Sequence, residues 1–225
     1  MKKLSFACAF LVVLPATSLA ENIAISGKIG LTTGYGIEAT LGNDNFSGRV
    51  GANKYNINEN GNANNMNFDF KLQLQSVSAL ADWYPFSGRF RVSGGLYSNK
   101  SKIEMTAVPD AGSTYTINGV TYAADTAVSS LQGRLTFSPM SPYLGIGWGN
   151  PVANGKGWGM VSDIGVIFQG APKYSLSATC GAALTAPECT QMQSDVAAEQ
   201  ASQQNDLNNS FRYWPVLSIG VSYQW

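Results

Sequence analysis

Apolar and polar residues alternate one by one along most of the chain, which is the periodicity of a strand and not of an amphipathic helix. In the last segment Leu217, Ile219, Val221, Tyr223 and Trp225 share one face, and Ser218, Gly220, Ser222 and Gln224 share the other. Near the other end, Ile25, Ile29, Leu31, Tyr35 and Ile37 alternate with Ser26, Lys28, Gly30, Thr32, Gly36 and Glu38. Similar runs cover Phe46–Ala52, Met66–Gln75, Val77–Trp83, Arg89–Leu96, Leu131–Phe137, Leu144–Trp148, Trp158–Gln169 and, more weakly, Tyr174–Thr179. The phase flips between Leu74 and Val77, which predicts a β-bulge near Gln75–Ser76. Opposed residues of an antiparallel hairpin share a face, so the turns can be checked against the faces. A turn at Asn43-Asp44 pairs Leu41 with Phe46 and Glu38 with Arg49; one at Pro85–Gly88 pairs Trp83 with Phe90 and Asp82 with Arg91; one at Pro139–Pro142 pairs Phe137 with Leu144. The prediction is an antiparallel meander of eight to ten strands.

Composition decides what kind of meander this is. Residues 1–20 read as a secretory signal: Lys2 and Lys3, an apolar stretch Leu4–Leu14, and Ser18-Leu19-Ala20 before cleavage between Ala20 and Glu21. Cleavage leaves 205 residues (21–225) as one domain, and turns the balanced 14 basic and 14 acidic groups into 12 and 14. That balance argues against nucleic acid as a partner. Charged residues make up 12% of the chain, against roughly 25% in soluble domains. Glycine and aromatics are plentiful, and no apolar run approaches the ~18 residues of a membrane helix. An all-β transmembrane antiparallel barrel satisfies all of these. A soluble secreted sandwich alternates too, but it does not account for tyrosine and tryptophan collecting at strand ends, the mark of an interfacial girdle.

The ending Tyr213-Trp-Pro-Val-Leu-Ser-Ile-Gly-Val-Ser-Tyr-Gln-Trp225 resembles the C-terminal signature of Gram-negative outer-membrane β-barrels, with Trp225 where Phe is usual. The segments WYPFSGRFRVSGGLY, PYLGIGWGN and GVIFQGAP resemble small proteobacterial outer-membrane proteins of unassigned function. The resemblance implies residence in the outer membrane after export through the periplasm, contact with outer-membrane lipid, and recognition of the last strand by the barrel-assembly machinery. It supplies no catalytic motif and no surface ligand.

Short turns at 42–45, 85–88, 138–142 and 169–173 then read as periplasmic, and 57–65, 98–126, 149–157 and 180–211 as external. Within the external segments, Asn118-Gly119 predicts a tight hairpin, and 192–209 a loose, exposed helix. Cys180 and Cys189 predict a structural disulfide, since the pair lacks redox CxxC spacing. The alternating glycines of Gly145-Ile-Gly147-Trp-Gly149 read as a strand in a crowded lumen rather than a nucleotide loop. With no histidine in the chain, hydrolase triads and most zinc sites are excluded, so no enzyme, cofactor or metal is expected. Seven cations (Lys28, Arg49, Lys71, Arg89, Arg91, Arg134, Arg212) against four carboxylates (Glu38, Asp69, Asp82, Asp163) are assigned to the lumen. The expected role is structural or surface-interacting through the external loops. The alternative is a small passive channel with mild anion preference.

Overall fold

A computed structural model describes residues 22–63, 66–109, 112–124, 126–153 and 155–225. The expected signal segment with its Ala20–Glu21 junction, and Asn64 and Asn65 of the expected external segment 57–65, lie outside the described residues. The strands are β1 (Asn22–Gly30), β2 (Gly34–Gly42), β3 (Phe46–Ala63), β4 (Met66–Trp83), β5 (Phe90–Asn99), β6 (Lys102–Pro109), β7 (Thr114–Ile117), β8 (Val120–Ala123), β9 (Val128–Thr136), β10 (Met140–Trp148), β11 (Gly157–Phe168), β12 (Lys173–Cys180) and β13 (Tyr213–Gln224), with helix α1 (Ala186–Ser210) before β13. Eight of them close a ring in the order β4, β3, β2, β1, β13, β11, β10, β5, because β5 returns to pair with β4.

The registers reduce the strand list further. β4 pairs Ser76 with Asn99 of β5 and Gln73 with Lys102 of β6, at one constant offset. β5 and β6 are therefore halves of one long strand, interrupted only at Lys100-Ser101. In the same way β9 and β10 continue each other, since Thr136 pairs with Lys102 and Met140 with Ser98. β11 and β12 continue each other with a one-residue shift. The molecule is thus an eight-stranded antiparallel barrel in which three strands rise past the rim. There, β6, β9 and β12 leave the ring and join the upper parts of β3 and β4 in a sheet extension. We call the end that carries 43–45, 84–89 and the 149–153 segment the narrow end, and the other, which also carries the short β1–β2 turn at 31–33, the lobe end.

Several expectations need correction. The segments 138–142 and 169–173 are not turns at the narrow end but breaks in rising strands near the lobe end. Pro139 and Pro172, lacking an N–H, interrupt the ladder there, and Phe137 does not face Leu144 across a hairpin. The loop 149–157 lies at the narrow end, not with the long excursions. Residues 57–63 are strand and not loop. The two hairpins at 43–45 and 84–89 have the right faces but a register two residues further on, so Leu41 opposes Gly48 and Trp83 opposes Val92.

Nor is there a bulge at Gln75–Ser76. β3 and β4 pair without a shift over all 18 residues, from Phe46–Trp83 to Ala63–Met66. The side chains keep alternating; what changes is their surroundings. A membrane strand needs only about 9–11 residues. Below Ser76 the outward face carries Val77, Ala79, Ala81 and Trp83, part of an exposed apolar band with Ile29, Ile37, Leu144, Ile164 and Ile219. Aromatics border that band, with Phe46, Trp83, Trp148 and Trp158 at the narrow end and Tyr35, Phe168 and Tyr213 at the lobe end. Above Gln75 the apolar residues Phe68, Phe70, Leu72 and Leu74 occupy the inward face instead, and Asn67, Asp69, Lys71 and Gln73 the outward one.

Candidate functional site

Two bodies of side chains deserve a chemical reading, one in the lumen and one on the lobe. β1, β2, β3, β4, β5 and β11 each send one charged residue to a common level of the lumen. Lys28 Nζ lies 2.6 Å from Asp163 Oδ2 and 3.2 Å from Glu38 Oε2. Arg49 reaches Glu38 (3.0 Å), Asp82 (2.5 Å) and Asp163 (3.2 Å). Arg91 donates to Asp163 at 2.7 Å and to the carbonyls of Gly149 and Ser162, with Asp82 at 3.9 Å. Ser47 and Ser93 complete the shell of Asp82, and Ser218 lies 3.4 Å from Asp163. All six charged groups are buried or nearly so.

The cluster therefore has three cations and three carboxylates. Glu38 and Arg49 meet, although they are not directly opposed in register. Asp82 opposes Ser93 and is held mainly by Arg49 rather than by Arg91. The seven-against-four inventory is corrected as well. Lys71, Asp69 and Arg134 sit on the outer face of the extension, while Arg89 and Arg212 flank strand ends. The excess of lumen cations, and with it the argument for anion preference, disappears.

Glycines make room for this layer. A Cβ on Gly147 would lie 2.7 Å from Arg91 Nε and 2.6 Å from the Ser162 carbonyl, and Cβ atoms on Gly145 or Gly165 would enter the Tyr143 ring. The glycine run is thus the seat of an arginine and a tyrosine. Next toward the lobe, Tyr97 and Tyr143 (ring centroids 5.3 Å apart) pack with Leu80, Ile167 and Val216 into an apolar layer across the lumen. At the narrow end Tyr84, Val152 and Gln224 are buried, and Gln224 Nε2 donates to the Val152 carbonyl. Beyond the tyrosines lies an uncharged vestibule lined by Thr33, Ser76, Asn99, Phe137, Gln169 and Trp214.

A search of solved structures finds this architecture in Acinetobacter baumannii CarO, with a TM-score of 0.56, 22% identity, and coverage of 90% of this chain and 97% of CarO. Acinetobacter baumannii CarO2 aligns with a TM-score of 0.56 and 20% identity, over 91% of this chain and 98% of its own. This is the outer-membrane β-barrel fold. Among protein-family models and curated proteins, nothing matches the chain.

In this outer-membrane barrel fold the lobe is a second packed body. The β7–β8 hairpin turns through Asn118 and Gly119, both with positive φ (50° and 77°), as the Asn-Gly pair demands. The hairpin and α1 cover the inward face of the extension sheet. Ala107, Tyr115, Ile117, Ala124, Val128, Met192 and Val196 form the core between them. The helix expected to be loose and exposed is thus anchored by Met192 and Val196, four residues apart on one face. Its polar side chains do equal service. Gln204 and Gln200 accept from the Tyr174 and Leu176 amides, covering the edge of β12 where no strand pairs. Asp195 accepts from Tyr122 Oη, Asn118 Nδ2 and Gln191 Nε2, and Glu199 accepts from the Asn118 amide, so α1 also grips the hairpin tip. The Tyr122 hydrogen bond holds the Asp195 carboxyl below the usual range, and burial beside that carboxylate pushes Tyr122 up to about 12.

Cys180 and Cys189 are bonded to each other, tying the end of β12 to the first turn of α1. Thr185 and Glu188 form a capping box at the start of that helix. Leu217, Ile219, Val221, Tyr223 and Trp225 all face outward in the apolar band. Sequence reasoning missed the helix core, because Met192 and Val196 stand among glutamines and alanines with no apolar stripe to announce them. It also misplaced Lys71 and Arg134, by assuming that an apolar face always points outward.

Proposed function

We propose that this chain is an outer-membrane protein that is closed through the lumen at rest and acts through its external lobe. The observation that carries this reading is the lumen cluster, three cations paired with three carboxylates beneath the Tyr97–Tyr143 layer. A hydrated path would have to part at least one buried ion pair, which costs several kcal/mol. The narrow end belongs in the periplasm and the lobe outside, as the usual asymmetry of such barrels has it. Export through the periplasm, signal removal after Ala20 and insertion by the barrel-assembly machinery belong to the same reading. The lobe supports a surface role because it has its own core, its own disulfide and a covered sheet edge, so it presents a fixed shape.

The test is single-channel recording of the refolded protein in a planar bilayer, with heat-shifted gel mobility as proof of folding. Folded protein without openings is the expected result. Discrete openings of a few tens of picosiemens or more in the unaltered protein would overturn the closed-lumen reading. Absence of a heat shift would overturn the barrel itself.

A further inference from the structure

Six exposed or half-exposed cations collect on one patch of the outer surface, directly above the apolar band. Lys54 of β3 lies beside Gln75, whose carbonyl accepts from the Lys100 amide. One step further toward the lobe, Lys102 pairs across Thr136 with Lys173. The next step brings Lys71, Glu104 and Arg134 side by side. These residues share the parity of the lipid-facing Val77, Ala79 and Leu96, so the patch continues the same outer wall. Among the described residues of these three steps, Glu104 is the one acid; it is bound to Arg134 at 2.8 Å and Lys102 at 3.5 Å. Half of the 12 basic residues that follow the signal are therefore in this collar, while the lumen's three are neutralised within their own cluster.

We infer that the collar is a binding surface for the phosphate groups of phosphorylated glycolipid in the outer leaflet. The inference rests on the outer-membrane reading above. Height selects the occupant. Lys54 is directly opposed to Tyr35, and Lys100 comes one step beyond Met140, so both stand at the level where the apolar band ends, at the depth of a lipid's headgroup. Charge selects it too, since about five uncompensated positive charges on a fixed sheet face an otherwise hydroxyl- and amide-rich wall of Asn56, Asn58, Gln73 and Thr136. Ammonium groups near an anionic membrane surface each add attraction that salt screens. The tilt of charge to one side also predicts that lipid associates with the tall wall, not with the β1–β2–β13 side, where the described strands end at the band.

The experiment uses the full mature chain refolded in neutral detergent, with bisphosphorylated lipid A, dephosphorylated lipid A and inorganic phosphate as separate probes. Binding is read by native mass spectrometry. The expected result is at least about 10-fold tighter binding of the bisphosphorylated lipid than of the dephosphorylated one, weakening with salt, with phosphate alone failing to compete at millimolar levels. A K71Q/K100Q/K102Q/K173Q variant that keeps the heat-shifted mobility should lose that preference, while R89Q/K156Q at the narrow end keeps it. Equal binding of the two lipids, or a preference that survives the quadruple change, overturns the inference. Should the quadruple variant fail to fold, the lipid comparison on the unaltered chain decides. Protein that does not fold or insert at all would instead count against the barrel.

Discussion

Asp163 accepts from Lys28 and Arg91 while Arg49 bridges it to Glu38 and Asp82, so each charge in the lumen is compensated by more than one neighbour. Such a cluster is costly to assemble and costlier to break, because removing one member leaves the others buried without a partner. Asp163→Asn leaves three cations facing two carboxylates and should destabilise the barrel by about 3–5 kcal/mol. Urea titration in micelles, followed by the heat-shifted gel band, reads this directly. Replacing both Asp163 and Arg91 with Leu should cost less than Asp163→Asn alone; a larger loss would contradict the pairing. Gly147→Val tests the seat of Arg91 from the other side. The added atoms meet the Ser162 carbonyl, so overpacking of about 1–3 kcal/mol is expected, with the same readout.

Elements respond differently in the lobe, where α1 stands in for a missing strand. Substituting both Gln200 and Gln204 by Ala removes the acceptors of the Tyr174 and Leu176 amides. Each lost hydrogen bond should weaken the docking by about 0.5–1.5 kcal/mol. Hydrogen exchange at those two amides should accelerate while barrel amides remain slow. The hairpin tip gives a dependence on pH. The lowered Asp195 favours docking above the ordinary carboxylate range, and this support is lost as pH falls through its folded value. The raised Tyr122 acts oppositely: its support is complete below about 10 and is lost as pH rises toward about 12. Protection of the Asn118 amide, taken relative to its intrinsic exchange rate at each pH, should therefore be greatest in a broad neutral window and fall at both extremes, and Tyr122→Phe should remove the alkaline limb. Reduction of Cys180–Cys189 opens a ten-residue loop, worth about 2.5–3 kcal/mol on the chain-entropy estimate, and should free the first turn of α1 before it affects the barrel.

At the scale of the molecule, one chain builds two bodies from the same strands. The lower part has an apolar outside and a charged inside; the upper part reverses this, with an apolar inside under α1 and β7–β8 and a polar outside. The boundary runs near Ser76, Asn99, Phe137 and Gln169, the level of the vestibule. A chain lacking 110–125 loses the hairpin over the lobe core, yet keeps every pairing of the eight-strand ring. It should still show heat-shifted mobility, and the helix Met192 should become accessible to oxidation. Loss of the heat shift in that deletion would mean that the lobe and barrel fold as one unit.

Alternation alone was enough to identify most strands of the ring, the outward set Leu217–Trp225, and the meander, because a strand's period of two is a local property; it left 57–63 and Lys102–Pro109 in expected loops, where the structure has strand. The disulfide partners, the Asn118-Gly119 turn and the charged residues Glu38, Arg49, Asp82 and Arg91 were legible for similar reasons, since each is a matter of residue type and short spacing. Face, however, is relative to surroundings. Nothing along Met66–Trp83 states where lipid ends, so a change of environment at Gln75–Ser76 looks like a change of register. Likewise, Pro139 and Pro172 read as turns because proline marks both turns and interrupted ladders. Only the pairing of β13 with β1 and β11, the pairing of β10 with β5, and the departure of β6, β9 and β12 decided which charges share the lumen and which form the outer collar. The lumen contact of Lys28 with Asp163 spans 135 positions and the strand pairing of Ala24 with Gln224 nearly the whole described chain, and pairing over such distances is set by the closed ring, not by any segment within it.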